Sequence, residues 1–110
     1  MATAELEARV HDDGGRLAIE LIGDIDARAE VALESAYAEV EAAEDVLLDF
    51  SGVAYMNSTG IALIVGLLAK ARKNGHTLSA AGLSPHYREI FEITRLADFM
   101  TIVDDEEGRA

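Results

Sequence analysis

Few residues of this 110-residue chain could do chemistry: three histidines, one serine–threonine pair and two neighbouring aspartates. His11, His76 and His86 are expected in a turn, at a strand start and in a first helical turn, with no pair at metal-ligand spacing. There is no cysteine to complete a metal site or to act as a nucleophile, so neither metal nor cofactor is expected. Ser58 lacks the nucleophile elbow G-x-S-x-G, because Met56 stands where its first glycine belongs. The phosphate-cradling G-x-x-x-x-G-K-[ST] and G-x-G-x-x-G are also missing. A nucleophilic Ser58 would need a base within hydrogen-bond reach, and only those histidines and the loop acids could supply one. Asp24 and Asp26 are more simply a turn residue and a helix cap. The chain reads as a non-enzyme.

What remains is the tip "NSTG", residues 57–60, directly before the apolar run "IALIVGLLA". Either Asn57 or Ser58 is suited to N-cap the following helix, a role typically worth about 1 kcal/mol. The same tip puts a hydroxyl at the positive end of a helix, beyond the carboxyl end of a parallel strand, where ligand and partner sites gather. A phosphate on Ser58 would meet free backbone amides and a favourable dipole there. The helix behind it is apolar almost all round, more than one core-facing stripe requires. Either two layers bury it or part of it stays open to a partner, or to a second copy of the chain. Gly66 within it is expected to pack closely against a neighbour, a small gap in an exposed groove being the alternative.

The elements that must hold this tip follow from periodicity. Leu6, Ala8 and Val10 alternate on one strand and Leu17, Ile19 and Leu21 on another, with "DDGG" as the hairpin turn. Leu33, Ala36, Tyr37 and Val40 then recur at the spacing of a helical stripe, with Asp26 as N-cap. "VLLDF", residues 46–50, predicts a central strand covered on both faces, followed by a loop "SGVAYM" that leads into the tip. After the apolar helix, Asn74 and Gly75 form a left-handed stop, and "HTLSAAG" is a strand parallel to the previous one. Ser84 and Pro85 open a third helix with Tyr87, Ile90, Phe91 and Thr94 on one face. A short strand around Met100–Val103 and the acidic run Asp104–Glu107, a frayed tail or a first helical turn, complete the order.

Length and order predict one α/β domain over residues 1–110. A net charge of −12, from 21 acids against 9 bases, repels phosphate backbones and anionic lipids, so no nucleic-acid partner is expected. The basic cluster Lys70, Arg72 and Lys73 answers the negative end of its own helix. The longest apolar run, Ile61–Ala69, is far short of the ~20 residues that span a bilayer, and "MATAELEARV" is no signal segment, so a cytoplasmic protein without membrane insertion is expected.

The stretches "GDIDARA", "VLLDFSGVAYMNSTGIALIVGLLAKARKNGHTLSAAGLSP" and "EITRLADFMTIVDDEE" together resemble the STAS domain family, and within it the stand-alone anti-sigma factor antagonists. The resemblance implies a STAS-like mixed sheet of four or five strands with helices packed mainly on one face. It implies an antagonist that binds an anti-sigma factor acting also as a serine kinase, is switched off by phosphorylation at Ser58, and is restored by a serine phosphatase. It further implies a partner-binding surface formed by Asp24, Asp26, Asn57, Ser58, Thr59, Gly60 and Ile61. Two positions depart from the familiar tip: Asn57 replaces an aspartate, which keeps the cap but removes a charge, and Thr59 replaces a serine, which offers a rival hydroxyl. Asn57 leaves open a constitutive STAS scaffold in a larger signalling assembly or transporter complex, without a switch.

Overall fold

A computed structural model describes residues 5–14, 16–43 and 45–103 of the chain. The first hairpin pairs β1 (Glu7–Asp13) with β2 (Arg16–Ile25) antiparallel. Its turn is tighter than expected: Asp13 still pairs with Arg16, so His11 and Asp12 belong to the strand, and Gly14 takes the left-handed φ of +66° that the reversal needs. A 3-10 turn (Ala27–Ala29) leads into α1 (Glu30–Val40), whose stripe Leu33, Ala36, Tyr37 and Val40 is buried as its spacing predicts. Next come β3 (Asp45–Met56), α2 (Ser58–Lys73), β4 (Thr77–Ala81), α3 (Pro85–Ile93) and β5 (Thr101–Ile102).

The sheet order is β1-β2-β3-β4-β5, with every pairing after the hairpin parallel. This is the mixed α/β sheet that the element order implies. One hydrophobic cluster joins Ile19, Leu21, Val46, Leu48, Leu78 and Ala80 of the strands to residues of all three helices. The helices therefore share one face. β3 is central, and its run Val46, Leu47 and Leu48 is buried on both faces, as its apolar sequence predicts. On the face away from the helices Leu47 is flanked by its register neighbours Ala18 and Ser79, and all three are below 9% exposed.

One correction concerns the length of β3. It does not stop at Phe50; the expected loop "SGVAYM" continues the strand to Met56, because β2 extends to Ile25 and pairs with it through two register shifts. Gly52 permits the close approach, since a Cβ there would lie 2.9 Å from the Leu21 carbonyl oxygen. Gly75, at φ +77°, stops α2, and Ser84 Oγ accepts a bond from the Tyr87 amide to open α3. Two residues, Thr101 and Ile102, realise the terminal strand; the acidic run Asp104–Glu107 lies outside the described residues.

Candidate functional site

The long β3 delivers the chain straight into α2 with one intervening residue, Asn57. Asn57 is the N-cap: its backbone is extended and its Oδ1 accepts the Gly60 N–H at 2.8 Å. Between the two capping candidates the structure selects Asn57 and leaves the Ser58 hydroxyl outside the cap. Ser58 and Thr59 occupy the first helical turn, both exposed.

The tip rests on the end of β2. The Asn57 N–H donates to the Ile25 carbonyl at 3.3 Å, and Gly60 is buried so tightly on that residue that a Cβ would come within 1.8 Å of the same oxygen. From the other side, Tyr87 of α3 reaches over so that its Oη accepts the Met56 N–H at 2.8 Å. Two elements, β2 and α3, thus clamp the backbone on which Ser58 stands.

The two aspartates differ in kind. Asp26 caps the 3-10 turn by accepting the Arg28 N–H at 3.0 Å, and its carboxylate receives two guanidinium bonds from Arg28, at 3.2 and 2.9 Å. Those bonds hold the Asp26 carboxyl below the ordinary carboxylate range, and raise Arg28 in turn. Asp24 is only 5% exposed at the end of β2, opposite Tyr55, and it acts on Arg28 through its field. Asp26 is therefore half of an ion pair, and Asp24 lies below the surface.

α2 settles the question raised by its apolar sequence. Ile64, Leu67, Leu68 and Ala71 are buried, whereas Ala62 and Ala69 are exposed and Val65 is 44% exposed, so part of the helix stays open. That open side forms one wall of a groove of about 480 Å³ running from Ser58 past Ile61 to Arg72, with Thr94, Leu96 and Phe99 opposite. Gly66 does not pack closely: nothing lies within 4 Å of where its Cβ would be, and it lines a smaller gap between α1 and α2. Arg72, Phe99 and Tyr87 are site-bordering residues that sequence reasoning passed over. Only the basic cluster signalled one of them, and it was assigned to the helix end.

None of the imidazoles serves Ser58. His11 is exposed on β1, His76 Nδ1 bonds the Tyr37 hydroxyl at 2.5 Å, and His86 leans on the Tyr87 ring. Among the described residues no hydrogen bond joins any of them to Ser58, no group of acids and histidines could hold a metal, and no helix is long and apolar enough to cross a membrane.

A sheet of this order has counterparts among known proteins. A family model described as "Mlab, STAS domain" matches residues 8–104. An anti-sigma-B factor antagonist from Staphylococcus epidermidis is 31% identical over 104 residues, which is 93% of this chain and 94% of that protein. Among solved structures, an anti-sigma factor antagonist from Mycobacterium paratuberculosis has a TM-score of 0.74 at 23% identity, over 89% of this chain and 85% of the other. The phosphorylated form of the Bacillus cell fate determinant SpoIIAA has a TM-score of 0.68 at 19% identity, over 92% and 95% of the two chains. With the family model matching residues 8–104 and a relative 31% identical over 93% of the chain, this chain belongs to the STAS domain family, among the anti-sigma factor antagonists.

Proposed function

We propose that this protein is a phosphorylation-gated antagonist whose unmodified tip binds an anti-sigma factor that is also a serine kinase, so freeing a sigma factor for transcription. The observation that carries this is the division of labour at the tip: Asn57 does the capping, and the Ser58 hydroxyl is exposed on a backbone clamped by Ile25 and Tyr87. In the switching step the partner moves the γ-phosphoryl group of ATP onto Ser58 Oγ. The new Oγ–P bond forms as the bond to the β,γ-bridging oxygen breaks, the hydroxyl proton passes to a base of the partner, and ADP leaves. A serine phosphatase hydrolyses the ester and resets the cycle in the cytoplasm. The role is one of binding, not of catalysis.

The added charge of about −1.5 to −2 sits at a helix N-terminus, which tolerates it, within a chain already at −12. Its effect falls on the interface, by repulsion and desolvation, and about 3 kcal/mol there changes affinity more than a hundredfold. Asp24, Asp26, Asn57, Thr59, Gly60 and Ile61 surround Ser58 as the contact surface or its support. Incubating the chain with the anti-sigma kinases of its host and ATP tests the assignment: phosphate is expected on wild type and Thr59→Ala and absent from Ser58→Ala. Undiminished phosphate on Ser58→Ala refutes it.

A further inference from the structure

The groove beside α2 has a composition that a hydroxyl switch leaves unused. Along α2 its floor is Ile61, Val65, Leu68 and Ala69, and its far wall is Leu96 and Phe99. Two large side chains, Val65 and Phe99, are 44% and 49% exposed there, a wetting of apolar surface that a ligand would relieve. Among the described residues that line it, Arg72 alone is charged, at the end away from Ser58. Its guanidinium lies over the Phe99 ring at 4.9 Å from the centroid, and among the described residues no carboxylate pairs with it. Ser58 and Arg72 stand fourteen residues apart, about 21 Å of trough at ~1.5 Å per residue.

We propose that this groove binds a straight-chain aliphatic carboxylate, with its head group on Arg72 and its chain lying along α2 towards Ser58. One cation balances one negative charge, and the chain's net −12 disfavours a ligand that brings two. The planar guanidinium fork matches a carboxylate with paired hydrogen bonds, and the Phe99 ring beneath it limits the planes it adopts. The volume of about 480 Å³ falls within the range of small-molecule sites. Among the described residues the walls offer the Ser58 and Thr94 side chains alone as neutral polar groups, too few to satisfy an extended peptide backbone, whereas an alkyl chain needs none. This assignment does not rest on the proposed phosphorylation of Ser58.

Calorimetric titration of the full chain with decanoate and dodecanoate below their micelle concentrations, and with dodecanol below its solubility limit, tests the site. One dodecanoate per chain is expected, with affinity rising about three- to fourfold for each added methylene that the groove covers. Arg72→Gln is expected to weaken dodecanoate at least tenfold and to leave dodecanol unchanged. Ala69→Phe fills the trough and is expected to abolish binding of both, with thermal unfolding recorded alongside to show that the variant is folded. Should that variant fail to fold, Arg72→Gln, a change at an exposed position, still decides the matter. No uptake by the folded wild-type chain overturns the proposal, as does uptake indifferent to Arg72→Gln. Loss of a protein complex in Ala69→Phe, when wild type takes up no dodecanoate, assigns the groove to a protein segment instead.

Discussion

Replacing Gly60 by alanine tests whether the tip is truly wedged on β2. The added Cβ would lie 1.8 Å from the Ile25 carbonyl oxygen and 2.5 Å from its carbon, where approaches under 3.0 Å are essentially never seen. The obstacle is main chain, so it cannot rotate away. Relief requires the start of α2 to lift, which breaks the bond from the Asn57 N–H to the Ile25 carbonyl and distorts the Asn57 cap on Gly60 itself. Overpacking costs about 1–3 kcal/mol, and a strained hydrogen bond and cap add about 1 kcal/mol each, so roughly 3–5 kcal/mol is expected. For a domain of this size that is a fall in Tm on the order of 12–20 °C. Gly66→Ala, two turns along the same helix, adds the same methyl group with nothing within 4 Å and should instead gain about 0.5–1 kcal/mol. Urea unfolding of the pair measures both, with m unchanged and the midpoints moving in opposite directions. A Gly60→Ala protein within 1 kcal/mol of wild type, as judged by the magnitudes above, would refute the wedge.

Tyr87→Phe removes the acceptor for the Met56 N–H and is expected to cost about 1–2 kcal/mol in the same unfolding assay. Ser58→Asp should leave stability unchanged or raise it by about 0.3–1 kcal/mol through the helix dipole, while weakening the proposed partner complex more than a hundredfold; unfolding and binding measured on one preparation separate the two effects. Asp26 titrates below the ordinary range because Arg28 favours its charged form, so its contribution to stability is complete above the unfolded value of about 3.9 and is lost as pH falls through the lower native value. Melting curves from about pH 6 down to pH 2 should accordingly show a shallower acid limb for Asp26→Asn than for wild type.

Local signals were legible wherever the cause was local. The α1 stripe, the Ser84–Pro85 start and the Gly75 stop each depend on residues within a turn of one another, and each forms where the spacing puts it. The continuation of β3 through "SGVAYM" was not, because those residues become strand only by pairing with Gly23–Ile25, through shifts in register that no alternation pattern reveals. Ser and Gly at 51 and 52 read as the start of a loop; in the folded chain Gly52 serves close contact between strands. At the tip, residue type named two candidate caps, and only the path of β3 into α2 chose Asn57. The apolar run allowed either burial by two layers or an open side, and which of these holds, and on which side, depends on where α3 and the following turn come to rest. Similarly, Asp26 and Arg28 are neighbours in sequence, yet their paired bonds depend on a 3-10 turn that bends one back over the other.

The carbonyl of Ile25 has a wider bearing than its one hydrogen bond suggests. With a helix start pressed against main chain and tied to a strand, the outline offered to visiting proteins would stay the same whatever small group Ser58 carries. News of such a group would then travel as a change of potential at an unmoving surface, and any protein that tells the two forms apart must bring the discriminating side chains itself.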